Sequence, residues 1–405
     1  MSEAQQPFRR FSNVQWYLAH SENRVHLLCA CPDDIAPATF HDLVGQMLRL
    51  APQLSWSESL LQDGHLVAPM VAPAAVSRYL PMPGSGLLLR DLEADLAETL
   101  ADTGRPAFRA SCLAASEPDA RGVRALMVLQ ATHGVTEGGD ISRLARGRRA
   151  EHEGRPESRQ RLRKVQRLAM WAMLPLLWSG FLFAARLRRR PLHEFRFVRV
   201  SLDRAGVAAA VRRLGVTHRA FLFGLVLHAV LHDPNRKRRL NLAYSTLPMA
   251  RARKHDDSFL NVRMDEFRLQ TAATPEASIR ATAAAIAARG PTPIFVQAWQ
   301  SAVLGWHRRT RRIAPWLYRR GFFGYTPYDL VLSLVPPLLP GPSWGPLAGA
   351  TFFAGSNTST TPNCIFAVTR DRITLTLWAD SAVAARVEAI IGNAEALGVA
   401  AEVWQ

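Results

Sequence analysis

Hydrophobic and polar positions in the first third of the chain follow two different periods. Residues 24–32 form a short β-like run, and apolar residues of the segment that follows recur at helical spacing until Pro52 ends the pattern. Two more strands are predicted over 106–115 and 123–133, with a turn at 116–122 between them. The pattern therefore predicts a mixed α/β unit.

The second half of the chain shows the same mixture. Strands are predicted over 194–203, 238–248, 262–270, 328–337, 364–371 and 372–380. Helices are predicted over 204–216, 217–233 and 274–290, and a closing amphipathic helix over 381–399. No fixed-period repeat runs through these elements, so a solenoid is not expected.

Length and composition favour a globular protein with two lobes. The chain has 405 residues, of which 48% are hydrophobic and 20% charged. This length exceeds the usual ~100–200 residues of a single domain. We predict an N-terminal lobe over 1–155, a basic and apolar helical connector over 156–192, and a C-terminal lobe over 193–405.

The connector contains a nearly all-apolar stretch, 169–185, that is short for a membrane span of ~20 residues. Three interpretations stay open: a spanning helix, a buried core helix, or a helix lying in a membrane interface. The segment 306–323 mixes basic and aromatic residues, so it either touches lipid or a channel entrance, or is a solvated arginine-rich helix. No signal peptide is predicted, so we expect a cytoplasmic protein, with peripheral contact at the inner face of the membrane as an option.

The charge of the chain narrows the classes of partner. A formal net charge of +17 favours an anionic partner, such as nucleic acid, an anionic lipid surface or a phosphate-bearing small molecule. No helix-turn-helix, RNP or zinc-finger signature is present, so no nucleic-acid partner is expected. The four cysteines, Cys29, Cys31, Cys112 and Cys364, lack zinc spacing and predict small buried residues, without a disulfide or a metal site.

Several catalytic motifs are missing or weak in the sequence. There is no Walker P-loop, Rossmann glycine fingerprint, paired CxxC or HExxH, and the "KHDD" stretch at 254–257 is interpreted as a solvated loop. The "GPSWG" stretch at 341–345 matches the G-x-S-x-G nucleophile elbow, which needs a strand, a sharp turn and a helix. Prolines on both sides of Ser343 disfavour that helix, so a Pro/Gly turn is predicted.

The stretch "THGVTEGGD" contains the strongest candidate for chemistry. His133 falls just past the end of a predicted strand, where loops often carry functional groups. Glu137 comes four residues later, and Gly138 and the next glycine permit a tight turn. An imidazole near its ordinary pKa can take a proton from an alcohol or amine at neutral pH. Taken alone, a histidine in such a position is more often structural.

This stretch resembles the HHxxxDG motif of the chloramphenicol-acetyltransferase-like superfamily, which includes wax ester synthase/diacylglycerol acyltransferases and nonribosomal condensation domains. Thr132 stands at the first histidine of the motif, His133 at the second, Glu137 at the aspartate and Gly138 at the glycine. The order of the opening helix, the second-lobe segments and the "VLSLVPP" stretch with Ser333 is also similar, so the resemblance covers most of the chain.

The resemblance implies a two-lobe α/β fold of mixed sheets and flanking helices, with a tunnel between the lobes and His133 at its centre. It implies an acyltransferase that takes an acyl group from acyl-CoA or an acyl-carrier protein to a hydroxyl or amine acceptor, lipid-like acceptors included. His133 would be the general base, Glu137 would hold the loop, and Ser333 would support the site from the second lobe or donate to the oxyanion. No cofactor is expected beyond the coenzyme A or phosphopantetheine thioester as co-substrate.

The two altered motif positions motivate a different interpretation. Thr132 and Glu137 would also fit an inactive member of the same fold that acts as a carrier-protein-binding or scaffolding protein.

Overall fold

A computed structural model of the chain describes residues 9–10, 24–55, 65–66, 73–82, 84, 108–133, 136, 138–147, 195–231, 239–246, 263–270, 272–288, 330–357 and 362–404. The strands are β1 (Arg9–Arg10), β2 (Arg24–Cys31), β3 (His65–Leu66), β4 (Ser77–Met82), β5 (Phe108–Ala115), β6 (Ala125–Thr132), β7 (Phe195–Asp203), β8 (Arg239–Thr246), β9 (Arg263–Gln270), β10 (Leu330–Leu334), β11 (Thr351–Asn357), β12 (Asn363–Val368), β13 (Arg372–Asp380) and β14 (Ala401–Trp404). The α-helices are α1 (Pro37–Leu50), α2 (Pro73–Val76), α3 (Gly138–Ala145), α4 (Arg204–Leu214), α5 (His218–Leu231), α6 (Pro275–Ala287), α7 (Ser381–Ala384) and α8 (Val387–Ala396), and Pro52–Ser55 and Pro342–Leu347 are 3₁₀ helices.

Two mixed sheets dominate the described part of the chain. The first has five strands in the order β11-β2-β6-β5-β4, and the second has seven in the order β14-β7-β13-β12-β10-β8-β9. β6 is antiparallel to both of its neighbours, whereas β10 is parallel to both β8 and β12. The predicted α/β class with mixed sheets and flanking helices is confirmed.

The first sheet takes one of its edge strands from the second half of the sequence. β11 is antiparallel to β2, and pairs Gly355 with His26. On the other side of β11, the hydroxyl of Thr374 in β13 donates a 2.6 Å hydrogen bond to the carbonyl oxygen of Phe352. The two sheets are therefore connected by a strand from the second half of the chain that joins the first sheet, and by a hydrogen bond between β11 and β13. The lobe boundaries at 155 and 193 stay a prediction.

Each sheet buries one face against its own helices. Alternate residues of β2, among them Leu27 and Cys29, pack with Phe40 and Met47 of α1 in one core cluster. The second cluster covers one face of the seven-stranded sheet with α4, α5, α6 and α8. Helix α5 is apolar around most of its circumference because α6 and α8 enclose it, and Gly224 lets the backbone of α6 approach at Ile279.

Local signals explain both ends of α4. Asp203 caps α4 by accepting from the backbone N–H of Gly206, and Gly215 ends α4 with a left-handed φ of 65°.

The single helix predicted over 381–399 is wrong, because α7 and α8 are separate. At the break, the backbone N–H of Arg386 turns back to the carbonyl of Val383. The guanidinium of Arg386 donates to the carbonyl of Val230, which fixes the break against α5.

Cys29, Cys31, Cys112 and Cys364 are all buried, which confirms the burial predicted for them. No helix in the described ranges is both long enough and apolar enough to cross a membrane. The segments 169–185, 254–257 and 306–323, to which predictions were attached, lie outside the described residues.

Candidate functional site

The candidate motif begins at the end of a strand that is paired on both sides. β6 lies between β2 and β5, and every residue of β6 is buried. Thr132 is the last residue of β6, is 2% exposed, and pairs with Arg24 of β2. The strand therefore fixes the direction in which the chain enters the motif loop.

His133 occupies the turn directly after β6, and its side chain is half-buried with Nδ1 inaccessible to solvent. Burial lowers the pKa of His133 below its ordinary value of 6.5. Smaller effects act in the opposite direction, from the nearby backbone of His133, the Asp140 carboxylate and the backbone of Thr136. The imidazole is therefore neutral at neutral pH, which is the state a general base requires.

Helix α3 follows the loop and begins at Gly138, the motif glycine. Glu137, which stands at the acidic position of the motif, lies outside the described residues, so its role stays a prediction. Thr136 is 2% exposed and faces the core of the first lobe. The described structure thus brings Thr132, His133 and Gly138 together as the end of a strand, a turn and the start of a helix.

Asp140 is a further charged residue beside His133, and it lies outside the motif. It lies in the first turn of α3, is fully buried, and has its Oδ1 3.8 Å from Nη1 of Arg143. A carboxylate in the first turn of a helix is stabilised by the positive end of the helix dipole. Its charge also raises the pKa of His133. The sequence signal for Asp140 is its position in the first turn of a helix with an apolar face, three residues after Glu137.

The segment after β10 holds α3 in place. The hydroxyl of Ser142 donates a 2.8 Å hydrogen bond to the carbonyl of Pro337, and Arg146 donates to the same oxygen at 3.2 Å. The backbone N–H of Gly341 donates to the carbonyl of Ala145 at 2.8 Å. Residues of the segment that follows β10 therefore hold the helix that follows His133.

Ser333 lies in β10 of the second sheet, half-buried, between β8 and β12. The chain leaves β10 towards the first lobe, where Leu338 is fully buried and Val335 packs on the same core cluster. The second-lobe candidate therefore stands just before a segment that contacts α3. Its predicted role as oxyanion donor or support stays a prediction.

The "GPSWG" stretch is a 3₁₀ helix, Pro342–Leu347, and not a nucleophile elbow. β10 ends at Leu334, and the next regular element after the 3₁₀ helix is the strand β11, so the strand–turn–α-helix sequence of an elbow is not formed. Trp344 is 1% exposed and packs in the core of the first lobe.

A second buried histidine, His26 of β2, lies between the two sheets. Its ring packs edge-on against Phe197 of β7 at 4.6 Å between centroids, beside Arg199 and Gly355. Burial, followed by the charge of Arg199, lowers the pKa of His26 to about 3. We therefore interpret His26 as a neutral side chain that packs at the contact between the sheets. No group of three or more metal-ligating side chains occurs in the ranges the structure covers.

No family model and no curated protein match the sequence, but solved structures match almost the whole chain. A trichothecene 15-O-acetyltransferase from Fusarium sporotrichioides gives a TM-score of 0.64 at 13% identity, over 98% of this chain and 97% of that one. The first condensation domain of the calcium-dependent antibiotic synthetase gives 0.58 at 14% identity, over 97% of each chain. A wax ester synthase/diacylglycerol acyltransferase from Marinobacter aquaeolei gives 0.54 at 12% identity, over 96% of this chain and 98% of that one.

Likenesses at such low identity establish a shared fold. The chain shares the two-lobe α/β fold of these structures, which is the fold that the resemblance of the motif implied. The tunnel between the lobes stays a prediction.

Proposed function

We propose that the protein is an acyltransferase that moves an acyl group from a thioester donor to a hydroxyl or amine acceptor, with His133 as general base. The observation that carries this proposal is the neutral, half-buried imidazole at the end of the central strand β6. The fold supports it, because the matching structures include an acetyltransferase and a condensation domain.

In the proposed reaction, His133 removes the proton of the acceptor O–H or N–H as the acceptor attacks the thioester carbonyl. A tetrahedral oxyanion forms, for which the Ser333 hydroxyl is a candidate hydrogen-bond donor. Collapse of this intermediate breaks the carbon–sulfur bond, and the leaving thiolate takes the proton back from the imidazolium. The base is regenerated, so no further cofactor is needed.

The imidazolium that forms during this reaction is unfavourable in a buried site. The carboxylate of Asp140 offsets part of that cost, because it favours the charged form of His133. Asp140 is therefore proposed as an electrostatic support of the base that acts beside Glu137, the predicted loop-holding acid.

The donor is proposed to be an acyl-CoA or an acyl-carrier protein, whose coenzyme A or phosphopantetheine phosphates suit a chain of net charge +17. A lipid-like acceptor, with peripheral contact of a cytoplasmic protein at the membrane, is proposed by analogy with the wax ester synthase that shares the fold. Only the second donor requires a carrier protein to dock, so the test compares acyl-CoA with an acyl-carrier protein.

The test measures release of free thiol from acyl-CoA, and in parallel from an acyl-carrier protein, with panels of alcohols and amines as acceptors. His133→Ala is expected to reduce the transfer rate by about 10²–10⁴-fold, the usual share of a general base. His41→Ala is the matched control, because its ring lies on α1 and is hydrogen-bonded to Ser77 at 2.9 Å. Full transfer by His133→Ala would refute the assigned base.

The inactive alternative has its own supporting observation. Thr132, at the position of the first motif histidine, is buried and paired within β6, where it acts as part of the sheet. A scaffolding or carrier-protein-binding member of the fold would bind a carrier protein and turn over no thioester with any acceptor. Any turnover that depends on His133 would eliminate it.

A further inference from the structure

A small cavity lies directly behind the motif loop. Its volume is about 20 Å³, and its walls are mostly apolar side chains of the first lobe, such as Met47, Leu129 and Leu144. Three of its lining residues carry polar side chains: Thr136 of the motif loop, Trp344 of the 3₁₀ helix and Gln130 of β6, whose Oε1 is buried without a hydrogen-bond partner among the described residues.

The hydroxyl of Thr136 and the indole N–H of Trp344 are both buried without a direct hydrogen-bond partner in the described part of the chain. Thr136 is 2% exposed and Trp344 is 1% exposed. Neither the Thr136 Oγ1 nor the Trp344 Nε1 has a hydrogen-bond partner among the described residues. An indole N–H can only donate, whereas a hydroxyl can donate and accept. Buried polar groups of this kind are nearly always satisfied by protein or by ordered water.

The size of the cavity matches one water molecule. A water needs roughly 10–15 Å³ of such space together with polar partners, and this cavity offers both. We propose that one ordered water occupies it, accepting a hydrogen bond from Trp344 Nε1–H and bonding to the hydroxyl of Thr136.

Such a water makes Trp344 a positioning residue for the loop of His133. The 3₁₀ helix of Trp344 follows the segment that already holds α3 through the carbonyl of Pro337 and the N–H of Gly341. The water adds a link to the loop itself, between His133 and α3. The water site stands independently of the proposed function, whereas its effect on catalysis rests on His133 being the base.

The first experiment is a high-resolution crystal structure of the wild-type protein. We expect density for one water within hydrogen-bonding distance of both Trp344 Nε1 and Thr136 Oγ1. An empty cavity, or a direct bond between these two atoms, would overturn the proposal. Diffraction decides this point even if His133 proves not to be the base.

The second experiment measures kinetics of Thr136→Val, which removes the polar atom at nearly the same volume, and of Trp344→Phe, which removes the indole N–H together with part of the ring. Loss of the water should displace the loop and reduce kcat between about 10- and 100-fold with little change in KM. Because both variants break the same link, the double variant should lose little more than either single one. Fully additive losses would contradict a shared water.

Trp404→Phe is the matched control. The Nε1 of Trp404 is also buried without a partner among the described residues, but this tryptophan packs in a different core cluster, against Phe353. We expect it to leave kcat unchanged. An equal loss of kcat in Trp404→Phe would show that removing a buried indole N–H is merely destabilising, and would overturn the positioning role.

Discussion

Gly355→Ala tests how the two halves of the chain are packed together. Gly355 lies in β11, opposite His26 of β2, at the contact between the two sheets. A Cβ added at Gly355 would overlap the imidazole of His26, with Cδ2 at 3.0 Å and both Nε2 and Cε1 closer still. The ring cannot retreat easily, because Phe197 packs on its other side at 4.6 Å.

The expected magnitude comes from two opposing effects. Forcing an extra methyl group into a packed core usually costs about 1–3 kcal/mol, and the overlap with three ring atoms places this site at the upper end. Replacing glycine by alanine also lowers the conformational entropy of the unfolded chain, which stabilises the folded protein by about 0.4–1 kcal/mol. Overpacking is the larger effect, so Gly355→Ala should lower the free energy of unfolding by about 2 kcal/mol.

Urea denaturation followed by circular dichroism measures this change, as a lower midpoint at unchanged slope. Gly392→Ala in α8 is the matched control, since a Cβ there meets nothing within 4 Å; it should stabilise the helix by about 0.5–1 kcal/mol. In a His26→Ala background, Gly355→Ala should no longer destabilise. If Gly355→Ala costs the same with and without the ring of His26, the packing argument is refuted.

Four more variants test the contacts and the pKa shifts described above. Asp140→Asn removes a charge that raises the pKa of His133, so the acid limb of kcat/KM should move to lower pH in a pH–rate profile. Since the pKa of His26 is about 3 in the folded protein, stability should be lost as pH falls from about 6.5 towards 3; a His26→Asn variant should show less of this loss in acid titrations. Asp203→Ala removes a helix cap and should cost about 1 kcal/mol in urea denaturation. Thr374→Val leaves a buried carbonyl of β11 without its side-chain donor and should lower the free energy of unfolding by about 1–3 kcal/mol.

Elements with a local period were predictable from the sequence. Helix α1 follows from apolar positions at helical spacing that end before Pro52, and α4 follows from the cap at Asp203 and the glycine after Leu214. Strand β11 was not predicted, because its buried core is a short apolar run and its partner β2 lies more than three hundred residues away. Nothing local indicates which distant strand will accept an edge partner.

The candidate site was predictable only where its residues follow a local sequence pattern. The motif order identified His133 and Gly138, which the structure places at the start of the loop and of α3. Asp140 is fully buried, and its helix α3 is held by hydrogen bonds to the distant segment at Pro337. A sequence pattern can indicate an acid near a histidine, but it cannot show which acid will be buried and desolvated in the fold.

Strand β11 also affects the order in which the protein can fold during synthesis. β2 is buried along its whole length, and β11 covers its outer edge. A nascent chain that ends before residue 351 leaves this edge open, as a template for pairing with other chains. The lobe made first therefore completes its sheet only when most of the protein has left the ribosome. Expressing that lobe alone would yield an aggregation-prone product, and a split between the lobes must leave β11 with the first half.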